Sequence, residues 1–142
     1  MRFLLYLLMA LALAGSPERD PDIRTPEGCI GSQVWYSSGH FMDWMDYGIL
    51  EYPKNSRSIF ERDADYHPVT KEDLTALRAI VRHFRRDAGA YDDLRDACDL
   101  SSKCMDAQDF FSLIDERPRI EHYTLWYFDS QSDTLYYMDN KW

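Results

Sequence analysis

The sequence predicts an α+β fold: a small antiparallel sheet built from both ends of the mature chain, with about three helices packed on one face. Three observations lead there. The last residues, IEHYTLWYFDSQSDTLYYMDNKW, place two β-rich runs around a polar turn. Far upstream, MDWMDYGILEY has strand-like content and stops at Pro53. Between the two, apolar residues recur at helical spacing.

The chain opens with a leader. Arg2 precedes an uncharged apolar run from Phe3 to Leu13, and Ala12 and Ala14 match the small-residue pattern of a secretory cleavage site. Cleavage is expected between Ala14 and Gly15. The run is well short of the roughly 20 apolar residues of a spanning helix. Nothing later is apolar enough to span either, so the mature chain is expected in the periplasm or outside the cell, without stable membrane insertion. The expected organisation is a signal peptide over 1–14, an extended lead-in over 15–32 rich in proline and alternating charge, and one α+β domain over 33–142.

Within that domain Gln33 to Tyr36 reads as a short strand and Met42 to Tyr52 as a second. Lys54-Asn55-Ser56 makes a turn, after which Ser58-Ile59-Phe60 pairs back as a hairpin. The clearest helix starts at Thr70, where Thr70-Lys71-Glu72-Asp73 resembles a capping box with Asp at the position usually held by Glu or Gln. Leu74, Leu77, Ile80, Val81 and Phe84 lie along one face of it, and Gly89 ends it. A second short helix spans Ala90 to Cys98 and turns Tyr91, Leu94 and Cys98 inward. Ser101 or Ser102 caps a third, in which Ala107, Phe110, Phe111 and Ile114 share a face until Pro118. Ile120 to Phe128 is so continuously apolar, aromatic or β-branched that both faces of that strand are expected to be covered. Asp129 to Asp133 supplies the turn, and Thr134 to Met138 returns as its partner.

Export sets the reading of the cysteines. Cys98 and Cys104 bracket CDLSSKC. A zinc clip uses closer spacing and further ligands, and a thioredoxin-like redox motif has two intervening residues. Outside the reducing cytosol the pair reads as a disulfide staple, adding about 2 kcal/mol for so short a loop. Cys29, between Gly28 and Gly31, is left to pair with either of them, to link two chains or to stay a thiol. No neighbouring cation is visible to make it a nucleophile.

Charge and motif content narrow the function. Removing Arg2 from the 16 basic residues leaves 15 against 25 acidic ones, a formal charge of −10. That balance repels nucleic acid and favours basic partners. Arg78, Arg82, Arg85 and Arg86 form a stripe on the first long helix that reads as a solvated face neutralised by Asp87, Asp92, Asp93 and Asp96. Asp129, Ser130, Ser132 and Asp133 offer oxygens in one loop but lack the calcium-loop progression, so they read as turn chemistry, with no metal and no cofactor implied. No nucleophile elbow, zinc-protease, phosphate-loop or dinucleotide motif is present, and no catalytic residue is assigned. The segment HFMDWMDYGILEY interleaves Phe41, Trp44 and Tyr47 with Asp43, Asp46 and Glu51, a composition suited to a cationic protein surface. The expected function is therefore an exported, non-catalytic protein that inhibits a partner by occluding its basic cleft. A periplasmic immunity protein against an envelope-targeting toxin, or an inhibitor of a cell-wall hydrolase, is of this type. The alternative is a secreted enzyme or small-ligand binder with a pocket between sheet and helices.

Overall fold

The computed structural model describes residues 24–38, 44–115 and 122–141; the expected leader, Phe41, Asp43 and Trp142 lie outside them. Strands β1 (Gly31–Ser38) and β2 (Trp44–Glu51) are followed by helix α1 (Arg57–Arg62), the two-residue strand β3 (His67–Pro68), helix α2 (Lys71–Ala88) and the single turn α3 (Asp92–Arg95). Strands β4 (Phe110–Asp115), β5 (Tyr123–Asp129) and β6 (Thr134–Lys141) close the chain. They make one antiparallel six-stranded sheet in the order β1-β2-β6-β5-β4-β3. The β2–β6 ladder, in register from Trp44↔Lys141 to Glu51↔Thr134, joins the early and late strands as expected.

Helix α2 forms for the reasons visible in its sequence. Thr70 Oγ1 accepts the Asp73 N–H at 3.2 Å, and the Asp73 carboxylate accepts the Thr70 N–H at 2.9 Å, a complete capping box worth about 1 kcal/mol. Its buried residues Leu77, Val81, Phe84 and Ala88 lie on one face. They cover one side of the sheet, where Met45 and Tyr47 of β2, Leu125 and Tyr127 of β5 and Met138 of β6 meet them, with Leu94 of α3 joining the same cluster.

The opposite side has its own core, and here the expected arrangement changes. Helix α1 drops Phe60 onto Phe128, ring against ring at 3.8 Å and 14°. Tyr52 and Tyr66 meet Phe60 edge-on at 5.1 and 5.0 Å. Leu50, Phe110, Trp126, Leu135 and Tyr137 complete that cluster. The helices therefore do not share one face. The N-terminal segment also lies here: Tyr66 O–H donates to the Arg24 carbonyl at 2.6 Å and Tyr52 O–H to that of Pro26 at 2.8 Å.

Two further expectations are corrected. Ser58-Ile59-Phe60 does not pair back on β2, because β1 and β6 already occupy both edges of that strand. The segment folds instead as α1, with Arg57 and Glu61 paired at 2.8 Å one turn apart. Phe110 to Ile114 is strand β4 rather than a helix. Its registered partners on β5 run from Phe110↔Phe128 to Asp115↔Tyr123, and a short run whose alternate residues are buried on opposite sides has no periodicity to separate strand from helix. Helix α3 is shorter than the expected span to Cys98, though Cys98 N–H still donates to the Leu94 carbonyl at 3.0 Å.

Phe60→Ala should lower the unfolding free energy by about 3–5 kcal/mol, the usual loss for a fully buried aromatic. Urea denaturation followed by tryptophan fluorescence measures it; a loss under about 1 kcal/mol would mean that α1 does not seal the second core.

Candidate partner-binding surface

The residues read as partner contacts are distributed by strand position. β2 is an interior strand with both faces covered, so its alternation has no solvent side. Tyr47 is fully buried. Its hydroxyl donates to the Asp99 carboxylate at 2.7 Å and accepts the Leu100 N–H at 3.2 Å, which pins the chain after α3 to the sheet. Burial, reinforced by Asp99, pushes the Tyr47 phenol well above its ordinary range. Asp46 is buried as well. It stands opposite Asp139 in the ladder, whose carboxylate accepts the Trp44 indole N–H at 2.8 Å and the Thr124 hydroxyl at 2.9 Å. The Lys141 ammonium lies 5.1 Å from the Trp44 ring centre. Of the described members of the set, Asp46 and Tyr47 are thus interior, Trp44 is half-buried and Glu51 alone is exposed.

The three cysteines differ in exposure. All three are free thiols, so the staple between Cys98 and Cys104 is not formed in this structure. Cys98 turns into the main core while Cys104 sits exposed on the turn beyond it. Burial pushes the Cys98 thiol up to about 12, so it is an inert core residue. Cys29 is half-buried, its S–H donating to the Gly31 carbonyl at 3.2 Å.

The other polar clusters are occupied. The Asp129 carboxylate accepts from Gln131 N–H and the Ser132 hydroxyl, both at 2.9 Å. That of Asp133 accepts the N–H groups of Asn55 and Ser56 at 3.1 and 2.9 Å, tying the hairpin to the turn before α1. In the arginine stripe, Arg78 donates to the Met105 carbonyl at 3.0 Å and Arg86 to Asp87 at 3.2 Å. Asp87 also pairs with His83 at 3.2 Å. Among the described residues no group of three or more His, Cys, Asp or Glu side chains could hold a metal ion, and no helix is long and apolar enough to cross a membrane.

Sequence reasoning missed two features. Asp109, only 1 % exposed, accepts the Tyr127 hydroxyl, the Asp106 N–H at 2.9 Å and both the N–H and hydroxyl of Ser130 at 3.0 Å. It is a structural hub that no local pattern announces. The second is β1 itself. Ile30 and Tyr36 are the large apolar residues that the described surface exposes, at 69 % and 47 %. A groove of about 300 Å³ lies at the start of the strand, lined by Gly31, Ser32, Gln33, Ile49 and Glu51. Its signal was available: residues 28–42 contain no Asp, Glu, Lys or Arg in a chain that is 29 % charged.

No family model, no curated protein and no solved structure matches the chain. What the surface can do therefore rests on its own chemistry.

Thiol labelling of the reduced, folded protein should modify Cys104 first and leave Cys98 unmodified until the chain unfolds. Peptide mapping reads this directly, and early labelling of Cys98 would contradict its core placement.

Alkali should destabilise the fold. Burial holds the Tyr47, Tyr66, Tyr123 and Tyr127 phenols above the ordinary value of 10.0 and the Cys98 thiol above 9.0. Above about pH 9 the unfolded chain has begun to release protons that the folded chain keeps, so stability falls as pH rises. The urea midpoint should be level between about pH 7 and pH 8.5 with respect to these groups and then drop steadily toward about pH 11. A midpoint that climbs over the upper range would reject the assignment.

Proposed function

We propose that this chain is an exported, non-catalytic protein that inhibits a partner protein by occluding a basic cleft. A periplasmic immunity protein acting against an envelope-targeting toxin, or an inhibitor of a cell-wall hydrolase, is the kind of role meant. The observation that carries the reading is β1, an uncharged strand at the edge of the sheet that exposes Tyr36, is preceded by exposed Glu27 and Ile30 and is paired at its first residue, Gly31, with exposed Glu51. Exposed aromatic and aliphatic side chains desolvate readily against a partner, and acidic residues around them select a cationic surface.

In this reading the net charge of about −10 accelerates encounter with a basic cleft, and contacts along β1 then hold the complex. The small-ligand alternative has the groove by β1 in its favour. Glu51 is the one ionisable side chain among the described residues lining it, which is sparse for recognising a polar small molecule.

Mature protein immobilised and exposed to a native envelope extract should capture a specific partner, and an enzymatic partner should lose activity in the complex. Raising the salt from about 0.05 M to about 0.5 M should slow association roughly tenfold or more while dissociation changes little. Turnover of a substrate by the purified protein alone, or salt-independent association, would refute the mechanism.

A further inference from the structure

The main-chain direction of β1 follows from its neighbours. Tyr52 N–H donates to the Asp133 carbonyl at 3.0 Å, which turns the even-numbered residues of β2 toward β6 and the odd-numbered ones toward β1. The carbonyl of odd-numbered Glu51 accordingly faces β1, accepting the N–H of Ile30 at 2.8 Å just ahead of the regular ladder. The register Gly31↔Glu51, Gln33↔Ile49 and Trp35↔Tyr47 then uses the odd residues of β1 against β2. The N–H and C=O groups of Ser32 and Val34 point the other way, along the outer edge, where no strand pairs with them among the described residues. This edge lacks two devices that commonly block strand addition, since it contains neither a charged residue nor a proline from Gly31 to Ser38.

What surrounds the edge is acidic. Glu51 stands opposite Gly31, and a Cβ added to Gly31 would lie 3.3 Å from its Oε2, so the carboxylate covers the backbone where glycine leaves room for it. Exposed Glu27 precedes the strand. On the side covered by α2, α3 lies against β1 and presents exposed Asp92, Asp93 and Asp96, with Arg95 held by Asp92 at 3.0 Å and by the Gly89 carbonyl at 2.9 Å. A second copy of the chain would bring the same carboxylates against these. An extended cationic segment would find donors and acceptors along its backbone and carboxylates beside its side chains.

We propose that the outer edge of β1 is the docking line for an extended, lysine- or arginine-bearing segment of a partner protein, which adds to the sheet as a further strand through the main chain of Ser32 and Val34. A basic side chain opposite Gly31 would lay its aliphatic stem toward Ile49 and its charge against Glu51. This specifies how the inhibitor proposed above engages its target, and it rests on that reading only for the identity of the partner.

The test uses isotope-labelled mature protein and two capped synthetic peptides, one alternating lysine and valine, the other glutamate and valine. Titration with the lysine peptide should shift the Ser32 and Val34 amides and slow their hydrogen exchange, whereas the glutamate peptide should do neither. Glu51→Gln should weaken the lysine peptide on the order of threefold and Val34→Pro on the order of tenfold or more, since the proline removes an outward donor that β2 does not use. Ser32→Pro and a lysine peptide N-methylated at alternate residues repeat the test without relying on one variant's folding. Absence of any change at Ser32 and Val34, equal binding of both peptides, or protection that rises with protein concentration alone would overturn the proposal, the last by giving the edge to a second copy. If the envelope extract yields a partner that Val34→Pro binds as tightly as the parent chain, the edge is wrong and the inhibitor reading stands. Peptide binding at the edge with no partner captured would uphold the edge and count against the inhibitor reading.

Discussion

The structure depends on covering both sides of its two central strands. Leu125, Trp126, Tyr127 and Phe128 are consecutive in β5 and all buried, so water must be excluded from both faces of the sheet at once. One helix layer cannot do that. α2 and α3 seal one face, and the other is closed by α1 and the chain around Arg24 and Pro26. Burying each large side chain contributes about 1.5–3 kcal/mol, so placing a helix on each side of the central strands is the favourable arrangement. It also explains why Phe60, on a helix of only six residues, is fully buried.

Burying so many aromatic rings brings polar hydroxyls inside, and the fold gives several of them fixed partners. Tyr47 takes Asp99 and the Leu100 N–H; Tyr127 takes Asp109 and the Asp106 N–H. These bonds tie the irregular stretch of chain between α3 and β4 to strands β2 and β5. A loop with few apolar residues of its own is thereby held by two phenols, each costly to leave unpaired. The same arrangement removes Tyr47 from the surface, while Asp46 is buried on the opposite side of β2.

Much of this was legible in the residues. The Thr70 cap and the Leu77–Val81–Phe84 spacing marked α2, and the continuous apolar run of β5 announced a strand buried on both sides. The turn at Asp129–Asp133 with its return strand was equally plain. These features are local: a hydrogen bond three residues away, a periodicity, a two-sided run. Where the sequence misled, the deciding neighbour was distant. Phe110 and Phe111 became strand because β5 offered a free edge, and Ser58-Ile59-Phe60 became helix because β2 had none. The aromatic and acidic residues of β2 looked like an interface because alternation implies one wet face, which an interior strand roofed on both sides does not have.

By itself, the sequence determined the long helix, the closing hairpin and the strongly acidic balance of the chain, since each is written in adjacent residues or in composition. Only the tertiary structure decided which strands lie inside the sheet, that helices cover both faces, that Cys98 faces the core while Cys104 does not, and that β1 is left at the rim with its main chain turned outward. Strand order and edge occupancy are properties of residues far apart in the chain, joined by long-range hydrogen bonds. No window of sequence contains them.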